Sequence, residues 1–446
     1  MTTRLLWMLL RPSRLGIDAL ALPMAAFTVA TAVGLGTVSV ALRLLTAPDN
    51  AFSAYALLGA ALLVFLLVPL VSLINAATRL STRRRDDRLS TLRLLGANSK
   101  LVRGVAIGEM ALVAVIGIVI GIVAYLSTAP LLALIPVQGK VASVSEAWLP
   151  WPAVAITGMF IEGLVVVTVV SSIQRIEVSP LAVRIRSTPR RPRIRGLFIG
   201  ISVIAAGLVA MQLVSKNWGI TGIAIGYLIA LSAIMTAMSL IGPVLTRWIG
   251  SFRLRRATRL ENVVSMRNVL EDPKAAWRQV SPLGIATFIL IPAGSVLGYL
   301  NTIAKHSDAV GPSDLILFED FRTVASIAVV ASFLIVSCSV GVTQAAEILD
   351  RRATYVALDR IGVPITVMQR FRREAVLIPL IVATIGAAVL STGMVFMVVL
   401  ISLASSPLFL IGVIVLLAFG ICLVLTAVQT TRSVLSKVLT SPERAL

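Results

Sequence analysis

The stretch LSTLRLLGANSKLVRGVAIGEM, residues 89–110, decides how the rest of the chain is read. It lies between two long apolar runs, yet it carries Arg93, Lys100 and Arg103. Leu89, Leu92 and Leu95 recur in it at helical spacing until Gly96 ends the pattern. Steps of three put those leucines along one side of a helix. A short basic amphipathic helix at the foot of an apolar run marks the wet edge of a membrane protein.

The composition agrees. Of 446 residues, 58% are hydrophobic and 13% charged, with a mean hydropathy of +0.97. A soluble fold cannot bury that much apolar surface. A helix needs about 20 apolar residues to cross a core of ~30 Å. On that ruler ten spans are expected, near 20–46, 55–78, 104–134, 151–173, 196–214, 219–247, 280–303, 322–346, 375–401 and 407–429. The expected fold class is an all-α polytopic membrane protein of ten transmembrane helices. Its second and eighth spans are expected to continue as cytoplasmic stalks.

Charge orients these spans. The alternate loops expected outside, with nearby Arg43 and Arg322, hold Arg43, Lys140, Lys216, Lys305 and Arg322 against Asp49, Glu146, Asp308, Asp314, Glu319 and Asp320. That is a net −1, leaving +21 for everything else. Such asymmetry places both termini on the cytoplasmic side of a plasma membrane. It also accounts for the formal charge of +20 without nucleic acid. The opening MTTRLLWMLLRPSRLGIDAL (1–20) reads as an interfacial amphipathic helix rather than a cleaved signal. Cys338 and Cys422 sit in apolar runs and are expected unpaired. The longest outer loop, 304–321, holds the lone His306 and is too short for a folded domain.

The chain repeats itself. RRRDDRLSTLRLLGAN (83–98), after span two, has a counterpart, ILDRRATYVALDRIGVP (348–364), after span eight. Leu92, Leu95 and Gly96 in the first correspond to Leu358, Ile361 and Gly362 in the second. Each is followed by a basic stretch ending in Glu109 or Glu374. VSPLAVR (178–184) corresponds to TSPERAL (440–446), and LLWMLLRPSR (5–14) to VVSMRNVLEDPKAAWR (263–278). The parse is four spans over 1–188, a two-span insert over 189–252, and four spans over 253–446. Spans one and seven leave the same side, so the repeats run parallel, unlike the inverted repeats of many carriers.

These residues resemble the FtsX-like permease family, the membrane subunits of ABC systems of the MacB and BceB type. The resemblance rests on a charged helix after the second span, here Arg85 to Ala97, with Leu89, Leu92, Arg93, Leu95, Gly96 and Ala97 on the family's positions. It rests also on Pro180, Ala182 and Arg184 of the closing motif and on the four-two-four plan. The second copy keeps Gly362 and the apolar spacing but has Asp359 where the pattern has a base. No outer segment is long enough for the large extracytoplasmic domain of such proteins.

The resemblance implies that the two helices seat on a separate cytosolic ABC ATPase, two copies in all. The coupling residues would be Arg85, Arg88, Leu89, Leu92, Arg93, Leu95, Gly96 and Ala97 in the first copy. In the second they would be Arg351, Arg352, Leu358, Ile361 and Gly362. An apolar stripe can bury in a partner's groove while arginines pair with acids around it. The same amphipathic pattern also suits lying on anionic membrane lipids. The chain holds no G-x-x-x-x-G-K-[ST], so it is expected to be no enzyme and to hold no cofactor of its own; ATP and Mg²⁺ would bind the ATPase. Glu162, in GMFIEGLVVV (158–167), falls inside span four. It is a candidate intramembrane substrate or proton site, facing a cavity or a substrate amine, or else it is simply protonated or pairs with a polar group on another span.

Three functions follow as expectations. The first is the permease of an ATP-driven exporter of an amphipathic or hydrophobic substrate, such as an antimicrobial peptide, lipid or drug. The second is a non-transporting scaffold whose ATPase controls a sensor kinase or cell-wall hydrolase. The third, an ion-coupled carrier centred on Glu162, fits poorly with parallel repeats.

Overall fold

The structure, a computed structural model, describes residues 17–45, 52–94, 99–141, 143–177, 195–214, 219–258, 260–306, 312–394, 396–405 and 407–440. Residues 1–16 of the expected interfacial helix and the closing motif at Pro180, Ala182 and Arg184 lie outside them. Hydrocarbon offers no partner to a bare peptide group, so a spanning chain must satisfy its backbone within helices. Among the described residues the secondary structure is helical, apart from one isolated bridge between Val137 and Lys140. Cys338 and Cys422 are free.

In chain order the helices are α1 (Ile17–Leu45), α2 (Phe52–Leu94), α3 (Ser99–Ala133), α4 (Val144–Ala147), α5 (Trp151–Glu177), α6 (Arg195–Val214), α7 (Gly219–Arg255) and α8 (Leu260–Glu271). They continue as α9 (Pro273–His306), α10 (Pro312–Asp350), α11 (Arg352–Arg360), α12 (Ile365–Met394), α13 (Phe396–Ser405), α14 (Pro407–Thr430) and α15 (Arg432–Thr440). Among the described residues seven segments are long and apolar enough to cross a membrane: Ala21–Leu45, Tyr55–Thr78, Ile107–Ala133, Ser145–Ser171, Glu319–Asp350, Ile365–Gly393 and Ile414–Thr440. The other spans expected from sequence, near 196–214, 219–247 and 280–303, fall on α6, α7 and α9. Two shorter apolar stretches, Gly196–Ala206 and Leu283–Pro292, lie in that region.

Packing divides the chain into two units. The first takes 1–185, 309–356 and 426–446; the second takes 186–308 and 357–425. This is a different partition from the repeats, since α10 packs with α1 and α2.

In the first unit α1 is central, with α2, α3, α5 and α10 against it. The spacing in GIVIG (117–121) makes the α1–α3 approach possible. A Cβ on Gly117 would lie 2.6 Å from Phe27 Cβ, and one on Gly121 would lie 2.6 Å from Thr31 Cβ and 2.8 Å from the Thr28 carbonyl oxygen. Small residues let helix backbones approach where lipid supplies no hydrophobic drive. Thr28 Oγ1 uses that approach to reach the Gly117 carbonyl at 3.3 Å.

In the second unit α9 packs against α12, α13 and α7. Its start is written in EDPK: Asp272 Oδ1 accepts the Ala275 N–H at 3.0 Å, and Pro273 occupies the first helical position, which needs no N–H. Trp277, one turn on, is buried against α7, where a Cβ on Gly242 would overlap its indole ring.

Candidate functional site

The first segment expected to couple to an ATPase continues a span. Arg85, Arg88, Leu89, Leu92 and Arg93 all lie on α2, which runs unbroken from Phe52 to Leu94. Leu95, Gly96 and Ala97 lie outside the described residues. Its 43 residues make a rod of about 64 Å at 1.5 Å per residue, twice a bilayer core of ~30 Å. The stalk expected after span two is therefore helix.

The second segment is built differently. α10 ends at Asp350, Arg351 makes a turn, and α11 begins at Arg352. The Arg351 N–H still donates to the Glu347 carbonyl at 3.0 Å, and its Nε lies 3.8 Å from Glu347 Oε1. α11 then buries Tyr355, half-buries Arg352 and Leu358, and leaves Ile361 78% exposed. Gly362 closes the helix with φ +89°. The Val363 N–H donates to the Leu358 carbonyl at 3.0 Å and the Gly362 N–H to that of Asp359 at 2.9 Å. This pair of bonds is the Schellman ending, which takes a left-handed residue at the glycine's place.

Within α12, Glu374 binds α8. Ser265 Oγ donates to Glu374 Oε2 at 3.1 Å, and the Asn262 amide, turned to donate, reaches the two carboxylate oxygens at 2.8 and 3.1 Å. Arg370 Nη1 stands 3.6 Å from Glu261 Oε1. The acid that ends the second basic stretch thus fastens the amphipathic helix at the start of the second repeat to α12.

Glu162 stands within α5 on the flank between a buried face (Ile161, Val165, Val169) and an exposed one (Met159, Val167). Its Oε2 is shielded and has no hydrogen-bond partner among the described residues.

One cluster is invisible in the sequence. Asp320, 3% exposed at the start of α10, accepts Tyr55 Oη at 2.7 Å and the Gln138 N–H at 2.8 and 2.9 Å. Gln138 and Gly139 form a two-residue turn with φ of +58° and +69°, a primed hairpin turn that aims this N–H at the carboxylate. Arg43 Nη1 and Nη2 donate to the carbonyls of Leu132 and Ile135 at 3.4 and 3.3 Å, and its own carbonyl accepts Gln138 Nε2 at 3.2 Å. Beside it, the Ala147 carbonyl accepts Ser39 Oγ at 2.9 Å and Tyr125 Oη at 2.7 Å, while the Leu149 N–H donates to that phenol at 3.1 Å. α1, α2, α3, α10 and the 134–150 connection are thereby tied together at the face that the charge bias assigns to the outside. In the sequence Arg43 and Asp320 stand only as charges of the outer loops.

Comparison with known proteins gives one family. Neither the curated proteins nor the solved structures yield a match. Residues 60–180, from within α2 through α3, α4 and α5, match the family described as FtsX-like permease C-terminal. The chain is an all-α multi-pass membrane protein, and its residues 60–180 are similar to the FtsX-like permease family.

Proposed function

We propose that this chain is the permease subunit of an ATP-driven ABC exporter that moves an amphipathic or hydrophobic substrate out of the bilayer. It sits in the plasma membrane with both termini inside and works with two copies of a cytosolic ATPase, one at each coupling segment. The observation that carries this reading is the family match over 60–180, which takes in the helix of Arg85 to Leu94. Two further features support it. α2 is a single helix from the span to the expected coupling residues, and Ile361, just past the end of α11, is exposed beside the turn at Gly362. An exposed isoleucine at the foot of a short amphipathic helix is a natural contact for a partner's groove.

The test is co-purification in mild detergent with the ATPase encoded beside the chain. Wild type is compared with a Leu92→Asp/Leu95→Asp variant and with Ile361→Asp, whose site is already open to solvent. Retention by wild type and loss in variants that stay monodisperse is the expected result. No ATPase retained by wild type overturns the proposal. An ATPase retained but unmoved by any amphipathic substrate points to the scaffold reading instead.

A further inference from the structure

Glu162 has chemistry that the coupling segments do not use. It lies eleven residues along α5 from Trp151, about 16 Å at 1.5 Å per residue. Trp148 and Trp151 are 51% and 72% exposed, as interfacial anchors are. That depth is near the middle of a core of ~30 Å.

The surroundings are apolar and partly open. At 100° per residue Glu162 falls between the buried arc of Ile161, Val165 and Val169 and the exposed arc holding Met159 at 74%. One turn before it, Gly158 abuts α3, where its Cβ would lie 3.5 Å from Ile118 Cγ2. Next to it, a Cβ on Gly163 would meet nothing within 4 Å. The carboxyl group therefore stands at the α3–α5 seam of a lipid-facing surface, with one oxygen shielded and unpartnered among the described residues.

A carboxyl in such a place keeps its proton when empty, and it ionises only when a cation or a donor comes to it. A divalent metal is a poor match, because it gathers six or more oxygens and a single carboxylate supplies two. An alkylammonium fits better: one carboxylate balances its charge, and its apolar body replaces lipid along α5.

We infer that Glu162 is a binding point for the cationic head of a small lipid-soluble amphiphile, which reaches it from the bilayer along the α3–α5 seam. The step from binding to export rests on the permease reading; the binding itself does not require the ATPase.

The experiment uses the full chain in lipid nanodiscs, without ATPase. Dicyclohexylcarbodiimide modifies carboxyl groups in apolar surroundings, and peptide mass spectrometry locates the adduct. Labelling of Glu162 is expected, slowed about tenfold by dodecyltrimethylammonium below its micelle concentration and unchanged by dodecanol. Calorimetry gives the second readout: E162Q, which keeps the side chain's size, binds dodecyltrimethylammonium about tenfold more weakly, no better than dodecanol. A separate arm places a dioleoyl trimethylammonium lipid in the disc. Protection by that lipid alone assigns the source to the membrane, and protection by the soluble amphiphile admits drug-sized cations. Equal protection by dodecanol, no protection by either cation, or undiminished binding in E162Q overturns the inference. Failure here leaves the co-purification result standing, and failure there leaves this one.

Discussion

Tyr55 donates its phenolic hydrogen to Oδ2 of Asp320 across 2.7 Å, joining α2 to α10 between residues 265 positions apart. Both side chains are buried, Tyr55 to 5% exposure and Asp320 to 3%. Removing the hydroxyl leaves the carboxylate with the Gln138 N–H, so Tyr55→Phe is expected to cost about 1–2 kcal/mol. Asp320→Ala strands both the phenol and that N–H and is expected to cost about 3 kcal/mol. Thermal unfolding in detergent, run as a double-mutant cycle of Tyr55→Phe with Asp320→Ala, measures the coupling of the pair. Additive effects in that cycle would mean the contact contributes nothing.

The α1–α3 contact predicts opposite outcomes for two glycines on one helix. A Cβ at Gly121 would lie 2.8 Å from the Thr28 carbonyl oxygen, and backbone cannot rotate away as a side chain can. Gly121→Ala is expected to destabilise by about 2–3 kcal/mol. Gly108, also on α3, has nothing within 4 Å of an added Cβ. There alanine is expected to be neutral or to stabilise by up to about 1 kcal/mol through helix propensity. Comparing melting temperatures of the two variants checks this; equal losses would remove the close-approach account.

These two sites show what is legible in the sequence and what is not. The apolar runs and the GIVIG spacing are local patterns imposed by the bilayer and by helix geometry, so they can be read from residues in order. The stalk after span two is legible for the same reason, since Leu89 and Leu92 keep helical spacing beyond the apolar run. The Asp320 cluster is not. Its meaning depends on Tyr55, Arg43 and Gln138 arriving from three other places, and an aspartate near a loop looks the same whether solvated or bound. Glu162 is intermediate: its depth is plain from its position, whereas the shielded oxygen needs the packed neighbours.

Gly362 tests the second coupling segment without touching a packed side chain. Its φ of +89° is one that L side chains adopt at a cost, while a Cβ there would meet nothing within 4 Å. Gly362→Ala is expected to lose about 1–2 kcal/mol locally, fraying the end of α11. Gly362→Asn, a residue that enters the left-handed region more readily, is expected to lose less. Hydrogen exchange at Ile361, Gly362 and Val363, whose N–H groups bond to Ala357, Asp359 and Leu358, reads the fraying directly. If the alanine and asparagine variants exchange alike and like wild type, the turn is not set by the glycine.

The sharpest prediction concerns a proline inside a span. Pro292 lies within α9 and has no N–H to give the carbonyl of Phe288, four residues earlier. That carbonyl is answered from another helix: Ser391 Oγ on α12, fully buried, donates to it at 2.7 Å. Ser295 Oγ, beyond the proline, donates to the carbonyls of Ile291 at 2.8 Å and Pro292 at 3.2 Å. Proline in a membrane helix is tolerated when neighbouring hydroxyls re-satisfy the freed groups. Ser391→Ala should therefore cost about 1 kcal/mol in the wild-type background. In a Pro292→Ala background the restored backbone N–H can take the Phe288 carbonyl within α9, so the serine becomes dispensable and its loss should cost close to nothing. Unfolding free energies of the four proteins, measured by steric trapping in bicelles, give the coupling. The same Ser391→Ala loss in both backgrounds would show that the hydroxyl does not stand in for the missing N–H. A loss confined to the proline background would make Ser391 the residue that lets α9 keep its proline.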